Sequence, residues 1–182
     1  MKRKLFTSAV IFIPAALLLG FLAVGFFALG PKPPAAPPAP NAAPPLRLPL
    51  FSGALQEKLF DLQEMHGQKV LVNFFGSWCA PCVEELPVLR AIALRHALGI
   101  IGVAYNDKQE ALQDFFDRYG NVYSRVLVDI NGHSVIDWGV RGVPESFLID
   151  EEGRVVAHYA GPLTRAIWLR DFAKFFPLLP TP

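Results

Sequence analysis

Cys79 and Cys82 are the only cysteines of the chain, and Ala80 and Pro81 are all that separates them. Two thiols at that spacing can close a small disulfide and open it again, so the chemistry on offer is reversible thiol–disulfide exchange. The flanking residues predict how the pair is held. Val70–Phe75 is a run of apolar and β-favouring residues and reads as a buried strand. Gly76 and Ser77 break it. Beyond Cys82 the apolar positions Val83, Leu86, Leu89 and Ile92 recur at helical spacing. The pair therefore sits where a strand hands over to a helix, with Cys79 at the helix start. There the free first-turn N–H groups and the positive end of the helix dipole favour a thiolate.

Three other uses of such a pair weigh against this one. A zinc half-site needs a second pair of ligands, and the chain offers no further cysteine and only four scattered histidines, His66, His96, His133 and His158. Haem attachment needs a histidine directly after the second cysteine, and that position is Val83. An inert structural disulfide usually joins distant segments, so a pair beside Trp78 between strand and helix is a poor staple.

The motif Trp78-Cys79-Ala80-Pro81-Cys82 after an apolar strand resembles the thioredoxin fold. A second block, Trp138–Asp150 (Trp-Gly-Val-Arg-Gly-Val-Pro-Glu-Ser-Phe-Leu-Ile-Asp), agrees in order and spacing, as do His158-Tyr159-Ala160-Gly161 beyond it. Together they resemble the membrane-tethered thiol:disulfide interchange proteins of bacterial cytochrome c biogenesis, the CcmG/DsbE group, from about Leu46 to the C-terminus. The resemblance implies a thioredoxin-like α/β fold, with Cys79 as attacking nucleophile and Cys82 as resolving thiol. It implies a cis Val143–Pro144 bond beside the cysteines, with the Val143 backbone offered to an extended substrate strand. It also implies that Glu85 and Glu145 line an acidic active-site groove. A carboxylate near a thiolate raises the thiol pKa and makes the couple more reducing. Each acid could equally be a solvated surface charge. Trp78 shields the site or simply packs in the core. Two departures stand out. Thioredoxins carry a buried aspartate six residues before the first cysteine, and this chain has Asn73, which leaves Glu85 or water to handle the Cys82 proton. The dipeptide between the cysteines is Ala80-Pro81 in place of Gly-Pro.

The 182 residues carry a formal charge of +1 and 52% hydrophobic content, enough for one domain plus extra segments and with no electrostatic reason to bind nucleic acid. Residues 1–4 form a basic stub. Leu5–Gly30 then runs without a charge. As a helix it would be about 39 Å long, enough to span a ~30 Å hydrocarbon core with some tilt. A cleaved signal peptide is the alternative, but its apolar region is shorter. The basic cluster places the N-terminus in the cytoplasm and the rest outside, which predicts a single-pass inner-membrane protein with its C-terminal domain in the periplasm. Residues 31–45 are a Pro/Ala-rich linker. With the Pro-rich run reaching Pro49, it should be extended and free of helix or sheet. Residues 46–182 are the thioredoxin-like domain.

Within that domain the pattern predicts strands at Gly99–Tyr105 and Val126–Asp129, and helices at Lys108–Tyr119, with Asp107 as N-cap, and at Ser134–Trp138. It predicts a hairpin of Ser146–Asp150 with Arg154–Tyr159, and a closing helix Thr164–Phe176. Pro87 should kink the helix after Cys82 without ending it. The sum is a mixed central sheet covered by helices on both faces.

The functional reading is a periplasmic thiol:disulfide oxidoreductase needing neither metal nor organic cofactor. By resemblance, it reduces apocytochrome c or another maturation factor before haem attachment, with electrons from a membrane thiol transporter. A disulfide oxidase or isomerase on the same fold is the alternative. A thiol-based partner- or copper-binding module is a third reading, disfavoured because no histidine has motif-like spacing to the cysteines.

Overall fold

The computed structural model describes residues 41–51 and 58–176. The expected anchor, Leu5–Gly30, lies outside them. Among the described residues no helix is long and apolar enough to cross a membrane.

A six-stranded mixed sheet is the frame. Its strands in chain order are β1 (Asn41–Ala42), β4 (Val70–Phe75), β5 (Gly99–Tyr105), β6 (Arg125–Asp129), β7 (Glu145–Ile149) and β8 (Arg154–Ala160), arranged β1-β8-β7-β4-β5-β6. Two more strands, β2 (Arg47–Pro49) and β3 (Leu59–Asp61), form a separate antiparallel ribbon. β4 lies in the middle, parallel to β5 and antiparallel to β7. All six of its residues are buried, as a strand covered on both faces requires.

The β4–β5 and β5–β6 crossovers run through α1 (Ala80–His96) and α2 (Gln109–Tyr119). Both advance in the same direction across the sheet, so both helices fall on one face. Leu86, Leu89 and Ile92 of α1 share a core there with Leu112 and Phe115 of α2, Leu71 and Phe75 of β4, and Trp168 and Phe172 near the C-terminus. On the opposite face Val70, Val72 and Phe74 of β4 pack with Phe147 and Ile149 of β7, Phe60 of the ribbon, and Trp138 and Val140 after the one-turn α3 (His133–Asp137). Helices thus stand on both faces, as expected, but unevenly: α1 and α2 cover one, and on the other α3 shares the cover with the β2–β3 ribbon and a 3₁₀ turn at Leu62–Met65.

Three further expectations change. Asn41–Ala42, inside the stretch read as free of sheet, pairs antiparallel with Val155 and Arg154 of β8, and Arg47–Pro49 pairs with β3. Asp107 does not cap α2. The N-cap is Lys108, which makes no side-chain cap bond, and the Asp107 carboxylate faces the cysteine loop instead. The closing helix starts as read, with Thr164 Oγ1 accepting the Ile167 N–H, but it is not one regular α-helix. It passes from α4 (Arg165–Ile167) into a π-helical turn at Trp168–Phe172 and a 3₁₀ turn at Ala173–Phe175. The wider turn stacks Trp168 on Phe172, ring centroids 5.5 Å apart, against α1. α1 itself runs through Pro87 without stopping.

Candidate active site

The cysteines lie at the C-terminal end of β4 and the start of α1. Cys79 is the N-cap of α1, and Pro81 fills the first turn, where its missing N–H costs nothing. The two sulfurs are bonded at 2.05 Å. Cys79 is 4% exposed and Cys82 fully buried, the order expected of an attacking and a resolving thiol. The Cys82 backbone N–H donates to Cys79 Sγ at 3.2 Å. That donor, with the helix N-terminus behind it, is aimed where a Cys79 thiolate would carry its charge.

Val143–Pro144 is cis, as the resemblance implied. The Val143 carbonyl oxygen lies 3.6 Å from Cys79 Sγ, so the loop after α3 closes over the nucleophile. Gly161 N donates to the Pro144 carbonyl at 2.8 Å and ties this loop to the segment leading to α4.

Trp78 is 58% exposed, so it is not core packing. Its indole N–H donates to the Tyr105 carbonyl at 3.4 Å, and its ring meets Tyr105 edge-on. Gly76 makes room for it, since a Cβ there would stand 2.6 Å from the indole. The preceding loop is fixed by Asp107, which the sequence reading assigned to another role. Its buried carboxylate accepts the Ser77 N–H and, at 2.8 Å, the Ser77 hydroxyl, and also the Lys108 N–H at 3.0 Å. No local signal reveals this bond, because the partners are thirty residues apart.

Glu85 lies one helical turn past Cys82 on the same buried stripe of α1, a spacing that puts Cβ atoms about 5–6 Å apart. It is only 1% exposed. Oε1 accepts from Asn73 Nδ2 at 2.9 Å, and Oε2 accepts from Leu163 N at 2.7 Å. Burial raises its pKa to about 7, against the lowering effect of both donors. Asn73 uses both of its N–H donors here. It also donates to Ser146 Oγ at 3.1 Å and accepts the Tyr123 hydroxyl at 2.9 Å. Burial and the nearby Glu85 push the Tyr123 phenol well above its usual range. The ionisable group on this side of the sheet is therefore a glutamate on the helix rather than an aspartate on the strand.

Glu145 does not join it. Asn73 pairs with Ser146 across β4 and β7, and alternation sends Ser146 toward α1 and Glu145 to the opposite face, with Phe147. Glu145 is 2% exposed and is bonded to His158 Nε2 and the Arg141 N–H. The expected acidic pair lining one groove is thus two buried carboxyls separated by the sheet.

Among the described residues no cluster of histidine, cysteine, aspartate or glutamate could hold a metal ion.

The Redoxin family profile matches residues 35–174. The thiol:disulfide interchange protein HelX of Rhodobacter capsulatus is 36% identical over 173 residues, covering 93% of this chain and 95% of its own length. The thiol:disulfide interchange protein DsbE of Allochromatium vinosum is 32% identical over 161 residues, covering 87% and 88%. Among solved structures, a thioredoxin-family thiol:disulfide interchange protein of Chlorobium tepidum superposes with a TM-score of 0.57 at 28% identity, over 74% of this chain and 95% of that one. A DsbF homologue of Corynebacterium diphtheriae, at 19% identity and a TM-score of 0.65 over 78% and 92%, shares the fold.

Proposed function

The chain belongs to the Redoxin family, among its thiol:disulfide interchange proteins, and from that premise we propose that it works as a membrane-tethered, periplasm-facing reductase of apocytochrome c disulfides. The exchange chemistry follows from the redox-active Cys79–Cys82 pair on a thioredoxin-like fold. The direction of electron flow and the partner are our reading.

The observation that carries it is Glu85, buried one turn past Cys82 with a pKa of about 7. A carboxylate there disfavours a second negative charge nearby, so it works against the stabilised thiolate that makes a strong oxidant. It is also poised to accept a proton at neutral pH.

The reaction runs in two displacements. The Cys79 thiolate attacks one sulfur of the partner's disulfide, forms a mixed disulfide and releases the first partner thiolate, which takes up a proton. Cys82 gives its proton to Glu85 and attacks Cys79 Sγ. The second partner thiolate leaves and is protonated. The partner gains two electrons, and the Cys79–Cys82 dithiol becomes the disulfide. A membrane thiol transporter, itself a dithiol, restores it by the reverse exchange. The apolar run Leu5–Gly30 after a basic stub supports the tether, and the resemblance to the cytochrome c biogenesis group supports the choice of partner.

Trapping tests the reading. Cys82→Ser should hold a Cys-x-x-Cys-His apocytochrome as a mixed disulfide on Cys79, released by dithiothreitol. Trapping of other periplasmic proteins with no apocytochrome among them would move the assignment to general disulfide donation or isomerisation.

A further inference from the structure

Glu145 is the first residue of β7 and directly follows Pro144. Each of its buried oxygens has one partner. His158 Nε2 shares a hydrogen bond with Oε1, and the Arg141 backbone N–H donates to Oε2 at 3.2 Å. Arg141 lies in the loop that ends at Val143, whose carbonyl faces Cys79 Sγ at 3.6 Å. His158 is itself held by the sheet. It is the register partner of Phe147 across β7 and β8, and the two rings stack with centroids 4.3 Å apart and planes 15° from parallel. A chain of contacts thus runs from the sheet through His158 and Glu145 into the loop that covers the nucleophile. It lies on the sheet face away from α1.

We propose that His158 is a positioning residue for exchange with peptide substrates. It fixes Glu145, and through Glu145 the backbone at 141–143, where an extended substrate segment would pair alongside Cys79. The inference rests on the exchange reading above and is independent of which protein is the partner. A small-molecule disulfide has to meet only the Cys79 sulfur. A peptide disulfide must also lie in register on the Val143 backbone, and backbone pairing of that kind fails when the receiving edge is displaced. His158 touches neither sulfur nor substrate, so its effect should fall on binding of peptides and leave the chemical step alone.

The full-length protein in detergent is reduced and mixed with either oxidised glutathione or a disulfide-bonded Cys-x-x-Cys-His peptide, and the single-turnover rate is followed against disulfide concentration, its half-saturating point and plateau serving as KM and kcat for each. His158→Phe keeps a ring on Phe147 and removes the hydrogen bond to Glu145. We expect its KM for the peptide to rise about tenfold, on the order of one net hydrogen bond, with kcat and the glutathione rate unchanged. His158→Gln, whose amide nitrogen reaches the place of Nε2, should restore most of the peptide affinity. Should His158→Phe fail to fold, His158→Asn, too short to reach Glu145, reads out the same split. Equal losses on both substrates, no loss on either, or no rescue by glutamine overturns the positioning role. A wild type inert towards both disulfides overturns the exchange reading itself, and this proposal with it.

Discussion

The Asn73 amide donates from Nδ2 to Glu85 Oε1 at 2.9 Å, bridging the central strand and the helix that carries the cysteines. The bond moves the ionisable group of the site off the strand and onto α1. Asn73 spends both its donors and one acceptor position on holding that carboxyl, Ser146 and Tyr123 in place.

Glu85 makes stability depend on pH. An unfolded glutamate titrates near 4.5 and Glu85 near 7, so between those values the folded state keeps a proton that the unfolded state has released. Stability from this group is full below about 4.5 and is lost as pH rises through 7, by roughly 3 kcal/mol. Glu85→Gln should flatten that slope in urea unfolding measured from pH 4.5 to 8. A slope as steep as the wild type's would put the dependence elsewhere.

Asn73→Asp sets a second carboxyl against Glu85 and removes the donor to Ser146. Two adjacent carboxyls cannot both ionise cheaply. The variant should lose about 2–4 kcal/mol at pH 7.5 and clearly less at pH 5. Chemical denaturation at the two pH values reads the difference, and equal losses at both would refute the coupling.

Asp107→Ala leaves the Ser77 N–H and hydroxyl without their acceptor. The free energy of unfolding should fall by about 1–3 kcal/mol, and amide exchange at residues 77–79 should quicken while α2 keeps its protection. Loss of protection along α2 instead would mean that Asp107 serves the helix.

Gly102→Ala tests the packing behind this network. A Cβ at 102 would stand 2.8 Å from the Tyr123 ring and 2.9 Å from Phe75, which stack at 4.6 Å. Overpacking of this kind costs about 1–3 kcal/mol. Displacing Tyr123 should also weaken its bond to Asn73, seen as a shift of the Asn73 side-chain amide resonances. An unaltered amide signal with a lowered midpoint would separate the two.

The equilibrium potential of Cys79–Cys82 against a glutathione or dithiothreitol buffer checks the direction of flow. A value of about −200 mV or lower, toward the −270 mV of thioredoxin, suits a reductase. A value near −120 mV would identify an oxidant, and reduction of apocytochrome c would have to be given up.

Local order made much of this legible from sequence. The change of period at Gly76–Ser77 placed the cysteines between strand and helix, and the helix does start at Cys79 as its N-cap. The Gly-Val-Pro-Glu block located the cis bond through its resemblance alone. What escaped reading was set by partners distant in sequence. Asp107 before an amphipathic helix has the pattern of a cap, and only the fold brings Ser77 to it. Glu85 and Glu145 looked equivalent because each follows a motif residue, yet a buried helix stripe and strand alternation carry them to opposite sides of the sheet. His158 has no spacing relation to the cysteines, and it reaches the site only through β7. The π-helical turn at Trp168–Phe172 follows from packing of two aromatic rings on α1, which helical periodicity does not encode.

The Val143 carbonyl that covers Cys79 comes from a residue 64 positions later in the chain. Polypeptide synthesis proceeds from the N-terminus at about 5–20 residues per second, so the cysteines emerge roughly 3–13 s before the segment that shields them. Over that interval the nascent chain carries a naked dithiol, with β7 not yet made. Any oxidant or reductant it meets in that interval reaches both thiols without the cover that the folded domain provides.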